Sequence, residues 1–263
     1  MNLVTKPRGA RCLLLAVLAA TATGSPAARA IVGDAPAAPT FLASAIVTVV
    51  GSRGNFCSGV AVSRQVVMTA AHCLRPEANY KIVIRDQGRE PRLADIVAIE
   101  RHPRFDAAAI RMHRATADVA LARLAEPLPP SVAPARVGAP RAPIIAGARF
   151  TIVGIGVARE GDGRSGGVAR AADLVATGRP GNLQIRLIDP AAASSGRGAC
   201  TGDSGGPVFE DQDGRAVVVG LISWSTGPNA SAGCGGMTGV TPLALYHDWI
   251  VTTARTLAPP PKR

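Results

Sequence analysis

The chain has 263 residues, with 29 basic side chains against 18 acidic ones and 3% aromatics. Lys6, Arg8, Arg11 and Arg29 fall within residues 1–30, which carry no acid, so residues 31–263 hold 25 basic and 18 acidic side chains, a net charge of +7. These charges are scattered, with no basic block and few aromatics to interleave; they read as a solvated surface and exclude a nucleic-acid footprint.

Residues 1–30 have the layout of a secretory signal peptide. A basic start precedes the short apolar run at 12–20, and small residues end in Ala28-Arg29-Ala30, an A-x-A cleavage signal. The run is too short to span a bilayer, and no later segment qualifies, so the expected product is a secreted or periplasmic chain of residues 31–263 with no membrane span. The scarcity of lysine, with Lys6, Lys81 and Lys262 alone, fits a GC-rich genome. Without Cys12, four cysteines remain: Cys57, Cys73, Cys200 and Cys234. An even number in an exported protein implies disulfides, for which three pairings are open. A zinc site is the rival reading, but no C-x-x-C supports one, and His72, which neighbours Cys73, has a better role below.

Short apolar, β-branched runs follow in chain order at 42–50, 60–62, 66–69, 81–84, 96–99, 119–124, 150–153, 183–188 and 216–223. Glycine, proline, aspartate and asparagine punctuate them, which predicts an all-β sandwich or barrel. The Pro-rich stretch at 127–143 reads as a connector between two β units, and the Gly- and charge-rich segment at 158–167 as a mobile loop. A single helix is expected at 242–257, where Tyr246, Trp249 and Ile250 share one face. Pro259 to Pro261 cannot continue it.

Acyl transfer by a serine requires a base for the hydroxyl proton, an acid group to orient that base, and N–H donors for the oxyanion. Gly202-Asp203-Ser204-Gly205-Gly206-Pro207 supplies a serine in a Gly-flanked turn. Thr69-Ala70-Ala71-His72-Cys73 supplies a histidine at the end of an apolar strand, and Asp118 opens the apolar run Val119 to Leu124. Asp95 and Asp106 are rival acids, but neither opens such a strand. His102 is expected to end a strand on the surface, and His113 and His247 to be ordinary surface residues.

These segments resemble the T-A-A-H-C, D-V-A-L and G-D-S-G-G-P motifs of the trypsin/chymotrypsin-like serine proteases, in that family's order of His, Asp and Ser. Ile31-Val32-Gly33-Asp34 resembles the family's activated N-terminus, Gly154-Ile155-Gly156 its G-W-G segment, Ser223-Trp224-Ser225 its S-W-G segment, and Tyr246 to Ile250 its terminal helix. The chain is identified as a secreted, bacterial member on this basis. The resemblance implies an all-β fold of two packed antiparallel six-stranded barrels, at 31–130 and 131–245, with a C-terminal helix.

It also implies roles. Ser204 would be the nucleophile, His72 the general base and Asp118 its partner, with the N–H groups of Gly202 and Ser204 as the oxyanion hole. Asp203 would pair with the α-amino group of Ile31, and the disulfides would be Cys57–Cys73 and Cys200–Cys234. The primary pocket would have Gly198 as its floor, Ser223 and Trp224 alongside, and Ser225 and Gly239 as walls. With no carboxylate at the floor, cleavage after apolar residues is expected rather than after Arg or Lys. The expected protein is a monomer acting on protein or peptide substrates, open to a proteinaceous inhibitor, and needing no cofactor or metal. The rival from another class is a catalytically silent relative that only binds; all three triad positions and Asp203 are present here, which argues against it.

Overall fold

A computed structural model describes residues 1, 31–85, 90–178, 182–191 and 196–258, so the expected signal peptide and the Pro259–Pro261 tail lie outside the described residues. The first barrel opens with the short helix α1 (Thr40–Ala43), then β1 (Ile46–Gly51), β2 (Phe56–Ala61), β3 (Val66–Thr69), β4 (Tyr80–Ile84), β5 (Arg92–Arg101), helix α2 (Ala107–Arg111) and β6 (Ala120–Leu124). Its six strands close in the order β1-β2-β3-β6-β5-β4, all pairs antiparallel.

The second unit contains β7 (Arg136–Val137), β8 (Arg149–Gly154), β9 (Arg170–Ala176), β10 (Ile185–Ile188), β11 (Pro207–Asp211), β12 (Ala216–Ser225) and β13 (Thr238–Pro242), followed by helix α3 (His247–Leu257). Strands β11-β8-β9-β10-β13-β12 run in that order, and the β11–β12 pairing closes them into a second antiparallel six-stranded barrel. The two-residue β7, inside the Pro-rich stretch, joins β12 in parallel at its flank.

The apolar runs are continuous rather than alternating because several strands are buried on both faces. Every residue of β3 is buried; Val67 enters the core of the first barrel, while Val66 and Met68 enter the core between the barrels. In β6, Ala120, Ala122 and Leu124 point to the barrel interior and Leu121 to the seam. The seam core draws Val60 and Leu121 from the first barrel, Val153, Phe209 and Leu221 from the second, and Tyr246, Ile250 and Leu257 from the terminal helical segment. The second barrel has its own core around Ile152, Leu174, Leu187 and Val240.

The element boundaries depart from expectation in definite places. The run at 42–50 splits, its first residues forming α1. The expected C-terminal helix divides into a 3-10 turn at Leu243–Tyr246 and α3. The loop at 158–167 is organised around Ser165, which has no exposed surface; its hydroxyl accepts from the N–H groups of Ala158 and Arg159 and donates to the carbonyl of Asp162.

Candidate active site

His72 and Asp118 meet because of strand register. Thr69 at the end of β3 pairs with Ala120 at the start of β6, so the 3-10 turn Ala71–Cys73 and residue 118 emerge at the same edge. Asp118 has no exposed surface. Its Oδ1 accepts the backbone N–H of His72 at 2.9 Å, its Oδ2 lies 2.8 Å from His72 Nδ1, and Ser223 Oγ donates to the same Oδ2 at 2.6 Å. A carboxylate oxygen can only accept from a neutral imidazole, so Nδ1 carries the hydrogen and Nε2 is left with its lone pair. The rival acids are engaged elsewhere: Asp95 pairs with Lys81 at 2.7 Å, and Asp106 caps α2 by accepting from the N–H of Ala108.

Ser204 sits in a turn held from both barrels. Its carbonyl accepts from the N–H of Ser58 in β2, and the next N–H, that of Gly205, donates to Ile222. Gly202 and Gly205 have φ of +91° and +78°, a backbone that a side chain would strain. Among the described residues, the N–H groups of Gly202 and Ser204 have no partner, so two donors stand free beside the serine. His72, Gly202, Ser204 and Ser225 line one cavity of about 480 Å3.

Ser58 is a site residue that the sequence reading missed. It is fully buried; its hydroxyl donates to the carbonyl of Gly202 at 2.9 Å and accepts the N–H of Ile155 at 3.0 Å. Thr69 Oγ1 donates to the Ser58 carbonyl at 2.7 Å. A serine inside a strand carries no motif, and only the pairing of the two barrels reveals what it holds.

Asp203, adjacent to the serine, is also fully buried and accepts from the N–H groups of Gly156 at 2.8 Å and Cys200 at 2.9 Å. The backbone N–H of Ile31 donates to it as well, and Ile31 is itself without exposed surface. Burial pushes the Asp203 carboxyl up to about 7, against the pull of these three donors. Both implied disulfides are formed. Cys57–Cys73 ties β2 to the His72 turn, and Cys200–Cys234 ties the Ser204 loop to the segment before β13. Cys57, His72 and Cys73 gather three possible ligand atoms, but both sulfurs belong to the disulfide and offer no thiolate.

The expected pocket residues lie where the end of β12 meets β13. Gly198 is buried where a floor is expected, and Ser223, Trp224 and Ser225 run along the end of β12. A register shift between Ile222 and Trp224 pairs Trp224 with Gly239 and Ser225 with Thr238. A side chain on Gly239 would meet the Trp224 ring. Gly239 is therefore the bed of that ring, and the residue across from Ser225 is Thr238, fully buried, its Oγ1 accepting from the N–H of Ala199 at 3.1 Å. Of the histidines, His247 is exposed beside Asp248. His113 is exposed, but its ring stacks on Trp224 at 4.6 Å. His102 is not on the surface; it is 6% exposed, edge-on to Tyr246 and Trp249, and this burial, with Arg104 nearby, lowers its pKa. It follows β5 directly, and α3 covers it.

A two-barrel fold with a buried Asp–His pair facing a serine between free N–H groups defines a class of serine hydrolase. The chain matches the trypsin family over residues 31–250 and belongs to it; it is a serine endopeptidase, a hydrolase acting on peptide bonds. It is 29% identical to trypsin 5G1 of Aedes aegypti over 215 residues, 76% of each chain. It is 27% identical to serine protease 1 of Canis lupus familiaris, covering 76% of this chain and 80% of that protein. Serine protease 56 of Homo sapiens shares 31% identity over 74% of this chain, which spans 34% of that longer protein. Among the described residues, no helix is long and apolar enough to cross a membrane.

Proposed function

We propose that Ser204, His72 and Asp118 form the catalytic triad of this endopeptidase. Ser204 Oγ attacks the scissile carbonyl carbon as His72 Nε2 takes its proton. The imidazolium then protonates the leaving amine, and water hydrolyses the acyl-enzyme by the same steps. Asp118 fixes the imidazole and stabilises its charged form, while the Gly202 and Ser204 N–H groups stabilise the oxyanion, each worth about 3–4 kcal/mol. The observation that carries this reading is the two-point hold of one buried carboxylate on His72, in the same cavity as Ser204. Replacing Ser204→Ala or His72→Ala should each abolish turnover and leave the fold intact, and the double variant should be little worse than either, since the residues act as a unit. Labelling by a serine-reactive phosphonate should disappear with Ser204. Wild-type turnover by Ser204→Ala would refute the assignment.

The same reading gives cleavage after apolar residues. A guanidinium or ammonium brought to Gly198 would meet no floor carboxylate, at a cost of several kcal/mol. The expected order is therefore Leu, Met, Phe or Tyr ahead of Arg or Lys. A peptide-library profile dominated by Arg or Lys would overturn this. The protein acts after export, as a monomer, on protein or peptide substrates, and the cleft would also accept a proteinaceous inhibitor. Cleavage after Ala30 would release Ile31 with its α-amino group beside Asp203, making removal of the leader the activating step. N-terminal sequencing of the exported protein tests this: a stable, inactive form beginning at Ala28 would rule it out.

A further inference from the structure

A second cavity, of about 370 Å3, adjoins His72 on the first barrel. Arg75, Arg101 and Arg111 line it, together with Phe105 and Ile110. The arginines come from three separately anchored elements. Arg75 follows the His72 turn, and its N–H is fixed by Tyr80 Oη at 2.6 Å. Arg101 ends β5, where it pairs with Ala120 of β6, two residues from Asp118. Arg111 ends α2, whose start is capped by Asp106.

Among the described residues, none of these three guanidiniums makes an ion pair or a side-chain hydrogen bond. Asp118 accepts from His72 and Ser223 and Asp106 from Ala108, while Glu77, which also lines the cavity, is largely exposed and lies 3.9 Å from Arg53. The main cleft shares His72, Arg75 and Glu77 with this cavity and adds Arg53. Three like charges on fixed elements repel one another, and an anion between them removes that cost. The guanidinium fork suits a carboxylate, and apolar atoms from Phe105 and Ile110 suit the methylenes that carry it.

We propose that this cavity is a subsite for a carboxylate side chain of the substrate, so that the enzyme prefers peptides with Asp or Glu close to the bond it cuts. The proposal rests on the catalytic reading of His72 for its place along the substrate. A peptide advances about 3.3–3.6 Å per extended residue, so a cavity bordering His72 serves a position within one to three residues of the scissile bond.

The test is a set of quenched fluorescent peptides, each with one apolar cleavage site, in which Glu replaces Gln at one flanking position at a time. Glu should raise kcat/KM over Gln about tenfold at one position in about 0.1 M salt. The ratio should fall toward parity in about 1 M salt, where the screening length shortens to about 3 Å. In the Arg101→Gln/Arg111→Gln variant the Glu-to-Gln ratio should drop to about two or less. Should that variant fail to fold, Arg111→Gln alone, on the exposed end of α2, should lower the ratio severalfold. Binding of the labelled Glu and Gln peptides to the Ser204→Ala chain, read by fluorescence anisotropy, separates the subsite from the chemistry. If turnover proves independent of Ser204, anisotropy of the intact chain still decides the subsite. Equal rates and equal binding for Glu and Gln at every position, or a preference unaffected by the arginine substitutions, would overturn the proposal.

Discussion

Ser58 sits in β2 with no exposed surface, and its hydroxyl reaches Ile155 of the second barrel and Gly202 beside the serine. Ser58→Ala would leave a buried N–H and a buried carbonyl without this partner, a cost of about 1–3 kcal/mol. Because the carbonyl belongs to Gly202, whose N–H is proposed to bind the oxyanion, part of that cost should appear in the transition state. The expected result is a fall in kcat of about tenfold, equivalent to about 1.4 kcal/mol, with KM little changed. A lowered melting temperature with an unchanged kcat would mean that Ser58 serves folding alone. Ser204, His72 and Asp118 could be picked out from sequence because their neighbours are constrained: glycines where φ is positive, and an apolar strand behind each of the other two. Ser58, His113 and Thr238 could not. Their contacts join segments far apart in the chain: Ser58 with Ile155 and Gly202, His113 with Trp224, and Thr238 with Ala199.

At the scale of elements, the strands recognised in advance were those with dense β-branched runs. Strands β9, β11 and β13 were not anticipated. β9 reads Arg-Ala-Ala-Asp-Leu-Val-Ala, in which the alanines have weak strand preference, yet it lies between β8 and β10 with five of its seven residues buried. β11 begins at Pro207, and β13 carries Gly239 and ends at Pro242, so both look like turns until their partners are in place. Helix α2 is too short to show a period. Tertiary pairing overrides local preference in each case. Each disulfide stays within its own barrel, Cys57–Cys73 tying β2 to the His72 turn and Cys200–Cys234 joining two non-strand segments near Ser204, at separations of 16 and 34 residues. They restrict the loops that must hold their shape for chemistry, at a scale of about 3 kcal/mol for a 15-residue loop in the chain-entropy account.

For the whole molecule, Asp203 links stability to pH and to processing. In the uncut chain it is a buried carboxyl with backbone donors, its pKa raised from the ordinary 3.8 to about 7. Its neutral form therefore supports the fold fully below pH 3.8, and that support is lost as pH rises to about 7. The uncut Ser204→Ala chain should lose thermal stability across this range, whereas a form beginning at Ile31, with a protonated α-amino group to match the carboxylate, should not. Identical melting curves against pH for the two forms would contradict this account. The two ends of the described chain also cross between barrels. Residues 31–37 start on the second barrel, with Ile31 and Ala35 in its core and Val32 and Ala37 bridged to Gly198 and Arg170. Helix α3 leaves the second barrel and packs Ile250 and Leu257 into the seam beside Val119 and Leu121. Each barrel is thus grasped by an arm from beyond the other's end of the chain, and neither disulfide spans the gap. Trimming either arm should loosen this hold while each barrel keeps its own core, so His72 and Asp118 on the first barrel are expected to part from Ser204 on the second before either barrel melts.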